Sequence, residues 1–370
     1  MVTSLGLDAA TSCAAARAGL VRIRPLNSYP VVSEDNGEEI GLGCHAIPLA
    51  VDGFEGKARL LRLIELALKD VLNRNTYLDG MAKCGTYLSL ADSPSVQAIG
   101  GNIRINPEYV RQISQSTAVH ASVECVELAL WLLDRAFKLA QWTMPPPLRF
   151  VTTCGHTGVA RAINAAMQDM NNGEIDAAII GGVDSILDAD LLAGLEEAGR
   201  LKTPENPAGI TPGEAAAFVV LETPKSVMTR KGQAIAELTG LGFAEEANSS
   251  LSETPPIGTG LADAFMILLS RHNRDVTNSM WLISDLNGEP WRSMDWGHAL
   301  TRMVSSHPAF NRCDLWYPAA SFGEIGAACG AVGLCVAMTA MQRGYALDDT
   351  VIFALASDFN DRAAMSCRKI

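Results

Sequence analysis

The chain has 370 residues, 48% of them hydrophobic and 19% charged, with a formal net charge of −12. A length and composition of this kind allow a large core in one two-lobed domain or two domains. The acidic balance, with basic residues clustered only in short groups, argues against nucleic acid or an anionic membrane as the main partner. Nine scattered cysteines show neither a C-x-x-C pair nor Cys/His ligand spacing, so no metal, no cofactor and no disulfide framework is expected, and reduced thiols suit a cytoplasmic protein. Residues 1–19 are interrupted by Asp8 and Arg17 and do not read as a signal peptide, and no run approaches 18 apolar residues, so no membrane span is expected.

In chain order, residues 2–7 read as a first strand and 9–18 as a small-residue helix. Residues 21–55 are mixed, with an exposed acidic run at 33–39. A wide apolar stripe through Leu60, Leu63, Ile64 and Val71 predicts a helix over 56–74, and a strand follows at 85–91. Residues 92–120 carry Gly and Asn with little periodicity, and 120–138 is a strong amphipathic helix. Pro145-Pro146-Pro147 then breaks the chain before a strand opening at Phe150.

The stretch 150–185 is the densest in signal. A short apolar strand runs into the Gly-containing turn Cys154-Gly155-His156-Thr157-Gly158. A helix with apolar residues at Val159, Ala162, Ile163, Ala166 and Met170 follows, then a loop at 171–173 and a strand ending in Gly181-Gly182. A turn that enters a helix after a strand presents unpaired N–H groups and a positive dipole end, a natural place for a nucleophile. Farther on come a helix at 189–198, a Gly/Pro loop at 199–213 and a continuous apolar strand at 215–221. From 232 the alternation restarts: strand 234–240, helix 260–270, strand 281–285, helix 293–305, a long small-residue helix 326–343 and strand 351–356. This repeat predicts an α/β protein built by internal duplication, with halves at 1–225 and 226–370.

Two segments carry a resemblance. Gly199-Arg200-Leu201-Lys202-Thr203, continued by Asn206-Pro207-Ala208-Gly209-Ile210-Thr211-Pro212-Gly213-Glu214, and the preceding Gly173-Glu174-Ile175-Asp176 through Gly181-Gly182-Val183-Asp184, resemble the β-ketoacyl-ACP synthases. Weaker similarity extends over essentially the whole chain, through Thr3-Ser4-Leu5-Gly6, Ala236 to Gly242 and Phe322 to Gly330. The resemblance implies a thiolase-like five-layered α-β-α-β-α fold from two similar halves, and a homodimer. It also implies an acyl thioester or acyl carrier protein as partner, and a decarboxylative condensation run by one Cys and two His.

Carried over without gaps, the family's nucleophilic Cys falls on His156, with Cys154 two residues earlier. Its first His falls on Asn287 in Asn287-Gly288-Glu289-Pro290, and its second on Gly323, beside Glu324. The lysine expected before that second His is missing from 316–321, and the Gly-rich closing loop is replaced by Ser357-Asp358-Phe359-Asn360-Asp361. His156, Cys154, Asn287, Glu289 and Glu324 are therefore the candidate catalytic residues.

Two readings stay open. In the first the chain is a non-condensing, ketosynthase-like pseudoenzyme that binds an acyl-type ligand or a protein partner, as the family's chain-length-factor subunits lack a nucleophile. Its degenerate pattern is also similar to proteins of bacterial type VI secretion gene neighbourhoods. In the second it is an acyltransferase using Cys154, or a hydrolase using His156 with Glu289 or Glu324. Against catalysis, His156 can fill the space left by a thiol, and each Glu can sit at a helix start or pair with an Arg such as Arg292. An acidic carrier protein would need a local basic patch, for which Lys225, Arg230, Lys231, Arg271 and Arg274 are the candidates.

Overall fold

The computed structural model describes residues 1–32, 37–91, 121–250, 252–270 and 280–370. The expected exposed run at 33–36, the aperiodic stretch 92–120, and Arg271 and Arg274 lie outside the described residues.

The elements follow as α1 (Ala9–Arg17), β1 (Arg24–Val32), β2 (Glu39–Cys44), α2 (Gly56–Arg74), β3 (Cys84–Ser89), α3 (Val123–Leu139), β4 (Leu148–Thr152), α4 (Gly158–Asn171), β5 (Ala177–Ser185), α5 (Ala189–Glu197) and β6 (Glu214–Glu222). After these come β7 (Ala236–Glu245), α6 (Thr259–Ser270), β8 (Met280–Ser284), α7 (Pro290–Ser306), β9 (Cys313–Trp316), α8 (Cys329–Arg343), β10 (Thr350–Ala356) and β11 (Asp361–Lys369).

Two sheets share one plan. In the first, of order β4-β3-β5-β6, β3 is parallel to β4 and β5, and β6 closes antiparallel on β5. The second runs β9-β8-β10-β11 with the same directions and adds β7 antiparallel to β11. The counterpart of β7 in the first sheet is only an isolated antiparallel bridge, Val2 to Ala216, which is what remains of the strand expected at 2–7.

Burial explains the layering. One core joins α2 and α3 to the outer face of the first sheet through Leu63, Ile64, Leu132 and Val151. A second joins α6 and α7 to the outer face of the second sheet through Phe265, Leu282 and Met303. Between the sheets, the N-terminal parts of α4 and α8 are buried, which their small residues permit. A Cβ on Gly330 would stand 2.9 Å from the Cβ of Val159, so the two central helices touch almost backbone to backbone. The result is the five-layered α-β-α-β-α arrangement of two similar halves that the resemblance implies.

Several expectations change. Residues 21–55 contain the hairpin β1–β2, and β9 and β11 form strands where none was read. The long helix expected at 326–343 begins instead as a 3-10 turn, Gly326–Ala328, before α8. Gly181-Gly182 is not a turn at a strand end but lies inside β5. A Cβ on Gly182 would meet the Ala327 carbonyl at 2.1 Å, so this glycine lets the 326–328 turn press onto the sheet.

Candidate functional site

The turn at 155–157 and the turn at 326–328 occupy equivalent places before α4 and α8, and they meet at the centre of the molecule. His156 comes from the first turn, and Glu324 from just before the second. Asn287 and Glu289 come from the β8–α7 connection, where Glu289 is the N-cap of α7.

The structure brings four of the five sequence candidates together. His156 Nε2 lies 2.8 Å from Glu324 Oε1. Asn287 donates its side-chain amide to Glu289 Oε2 at 2.9 Å and, in a short contact, to Glu324 Oε2. Cys154 is not on these bonds. It lies two residues beyond β4, at the start of the 155–157 turn, donating its backbone N–H to Thr152 Oγ1 at 3.3 Å and accepting at its carbonyl from the Thr157 hydroxyl at 2.9 Å, and it is partly exposed.

Two arginines tie the group into a buried ionic network. Arg292 donates to Asp285 Oδ2 at 2.8 Å, to the Ala356 carbonyl, to Asp358 Oδ1 at 2.9 Å and to His156 Nδ1 at 3.3 Å. Arg200 donates to both Glu289 oxygens, at 2.6 and 3.2 Å, and to Asp358 Oδ2 at 2.8 Å. His156 is 6% exposed, Glu324 5%, Arg292 2% and Glu289 1%, so these groups answer to protein partners and little to water, while Asp358 and Arg200 reach the solvent at the edge of the network. The paired alternative weighed for Glu289 is realised with Arg200, while Arg292 Nε stands 3.9 Å from Glu289 Oε2.

Charge balance sets the protonation pattern. Around the ring, Asp285, Asp358, Glu289 and Glu324 face only two guanidiniums. Burial pushes the His156 imidazole toward its neutral form, but the Glu324 carboxylate more than offsets burial and the Arg292 charge, raising its pKa above 6.5. Burial would raise Glu324 too; His156, Arg292 and the Asn287 amide instead hold it well below the usual carboxylate range. Next to it Asp184, which accepts from the Ala327 and Ser185 N–H groups, is pushed up to about 7 by burial and by the Glu324 charge. Although the positive end of α4 disfavours a protonated ring, its effect on His156 is outweighed by these neighbours.

The hydrogen bonds also assign the neutral tautomer. A guanidinium N–H can only donate, so a neutral ring accepts from Arg292 at Nδ1 and donates Nε2–H to Glu324. Both nitrogens of the neutral ring then face protein partners, and protonation at Nδ1 has to displace the Arg292 contact.

Sequence reasoning missed Arg200, Asp285 and Asp358 as members of the site, and weighed Arg292 only as a partner for Glu. Asp358 sits in the segment read as a departed Gly-rich loop, and that departure was the available signal. Of the basic candidates for a carrier surface, Arg230 is committed to Glu222 Oε2 at 2.6 Å, while Lys225 and Lys231 are exposed. Among the described residues no group of His, Cys, Asp and Glu could hold a metal, and no helix is long and apolar enough to cross a membrane.

Comparison with known proteins agrees with this architecture. Residues 146–226 match the family model of the β-ketoacyl synthase N-terminal domain. The ishigamide ketosynthase/chain length factor is 16% identical, with a TM-score of 0.73 over 100% of this chain and 97% of its own. A type II PKS acyl-carrier protein in complex with its ketosynthase bound to the hexaketide matches at 13% identity and TM-score 0.73, again over 100% and 97%. A β-ketoacyl synthase from Burkholderia phymatum STM815 matches at 15% and 0.66, over 100% and 97%. Residues 146–226, which carry the N-terminal signature, span the β4–β6 unit, and the whole chain has the thiolase-like fold of these structures.

Proposed function

We propose that the chain is a non-condensing, ketosynthase-like protein whose former reaction centre has become a structural ionic core, and that it acts by binding. The observation that carries this reading is the buried His156–Glu324 contact of 2.8 Å, closed on its other side by Arg292, at the place where the family resemblance puts the nucleophile. A condensing centre needs a thiolate and free donors for a thioester oxyanion and an enolate. Here the position is an imidazole, and the Asn287 amide, Arg200 and Arg292 are bonded to carboxylates. The hydrolase alternative is disfavoured by the same network, since the His156 nitrogens face Glu324 and Arg292 rather than a substrate.

The partner we favour is another protein of acyl-chain assembly, either a ketosynthase-type subunit or an acyl carrier protein. The solved relatives include one named as a ketosynthase/chain length factor and one named as a ketosynthase with its acyl-carrier protein, which support this choice. Self-association as a homodimer and an accessory role in a secretion system are further forms of the same binding role; size-exclusion chromatography with light scattering and co-purification would distinguish them.

The remaining catalytic option is Cys154, a partly exposed thiol two residues beyond β4. Incubation with acetyl-, malonyl- and octanoyl-CoA followed by intact-protein mass spectrometry tests it. The expected spectrum shows the unmodified mass. A stoichiometric adduct that disappears in Cys154→Ala would make the protein an acyltransferase and overturn the binding role.

A further inference from the structure

A cleft of about 490 Å³ opens between α1, β9 and α8, away from the ionic core: none of His156, Asn287, Glu289, Arg292 or Glu324 lines it. Its volume falls in the range of roughly 300–1,000 Å³ typical of small-molecule sites. Its walls include the rings of Trp316, Tyr317, Phe322 and Tyr345. Trp316 and Tyr345 lie nearly parallel, at 25° with centroids 6.5 Å apart, and Trp281 braces Trp316 edge-on at 5.0 Å. Phe322 is 1% exposed, whereas Tyr317 is 49% exposed.

One cation stands at this cleft without a counter-charge. The Arg17 guanidinium carbon lies 3.9 Å from the Tyr345 ring centroid, and among the described residues no carboxylate pairs with it. Arg343, at the end of α8, adds a second positive charge near Tyr345. In this it differs from Arg59, Arg149, Arg161, Arg200 and Arg292, which all meet carboxylates. A guanidinium stacked by its face on a ring keeps its in-plane N–H fork for a carboxylate.

We propose that this cleft is a binding site for a small aromatic carboxylate, its ring against Trp316 and its carboxylate on Arg17. The rings supply stacking and apolar burial for the flat body, and Arg17 supplies the charge that selects an acid over an alcohol. The proposal stands independently of the protein's being non-condensing.

Isothermal titration of the full chain with 2-naphthoate, 2-naphthol and decanoate tests it. Naphthoate binds saturably, naphthol binds at least about tenfold more weakly, and Arg17→Ala weakens naphthoate by about tenfold or more without changing naphthol. Ala320→Trp, an exposed position on the cleft wall, abolishes naphthoate binding while thermal unfolding shows the fold retained. Absence of naphthoate binding up to about 5 mM, equal binding of naphthol, or full binding by Ala320→Trp overturns the site. Tighter binding of decanoate than naphthoate overturns the aromatic class.

Discussion

Phe322 and Glu324 are two residues apart, yet they belong to opposite kinds of environment. Glu324 enters a core in which carboxylates and guanidiniums are spent on one another, and Phe322 lines a cleft where rings enclose space and Arg17 keeps its hydrogen-bond donors. The difference teaches where function can reside: polar groups that saturate each other hold a fold together, whereas an unspent charge beside apolar surface is available to a ligand.

The largest effect is expected inside the core. Arg292→Ala strands Asp285, leaves Asp358 to Arg200 alone and removes the Nδ1 contact of His156, and should cost roughly 3–5 kcal/mol of unfolding free energy in urea titrations. A loss below about 1 kcal/mol would mean that the network is solvated.

The pH dependence of stability is the next test, and its sign follows from the three buried groups. His156, raised above 6.5, contributes stability that is complete below 6.5 and is lost as pH rises through its folded value. Asp184, raised from 3.8 to about 7, contributes stability that is complete below 3.8 and lost as pH rises through about 7. Glu324, depressed from 4.5, contributes above 4.5 and loses its share as pH falls toward its folded value. Stability should therefore be greatest in weakly acidic solution and fall as pH rises through neutrality. Glu324→Gln should flatten that fall, because it removes the charge that raises both His156 and Asp184. An unchanged slope in this variant would assign the pH dependence to other groups.

Smaller effects sharpen the contrast. Cys154→Ala should cost about 1 kcal/mol or less, as expected for a partly exposed thiol. Arg17→Ala should leave the unfolding midpoint nearly unchanged, within about 0.5 kcal/mol, while removing the selectivity of the cleft for an acid.

Much of the scaffold was legible because its signals are local. The strand–turn–helix–strand unit around His156 announces itself by apolar periodicity and by glycines at the turn. The missed strands lack such signals: β1 contains Pro25 and Pro30 and bulges between Leu26 and Pro30, β9 has four residues, and β11 mixes small and polar side chains. At the site, the meeting of His156, Asn287, Glu289 and Glu324 was legible only through the family frame that aligned them. The cations and acids that saturate them were not, since Arg200 pairs with Glu289 across 89 residues and with Asp358 across 158, separations that no local pattern encodes. The cleft at Trp316 was unread for the same reason, being assembled from α1 and the C-terminal half.

The central claim is that His156 is locked into a structural network, and nitrogen NMR of its ring across pH measures this most directly. The account predicts a ring that titrates above about 6.5 and, once deprotonated, carries its hydrogen on Nε2 with Nδ1 as acceptor. A ring that titrates near or below 6.5 with mixed tautomers would be that of a solvated imidazole, and would return His156 to the candidates for acid–base chemistry.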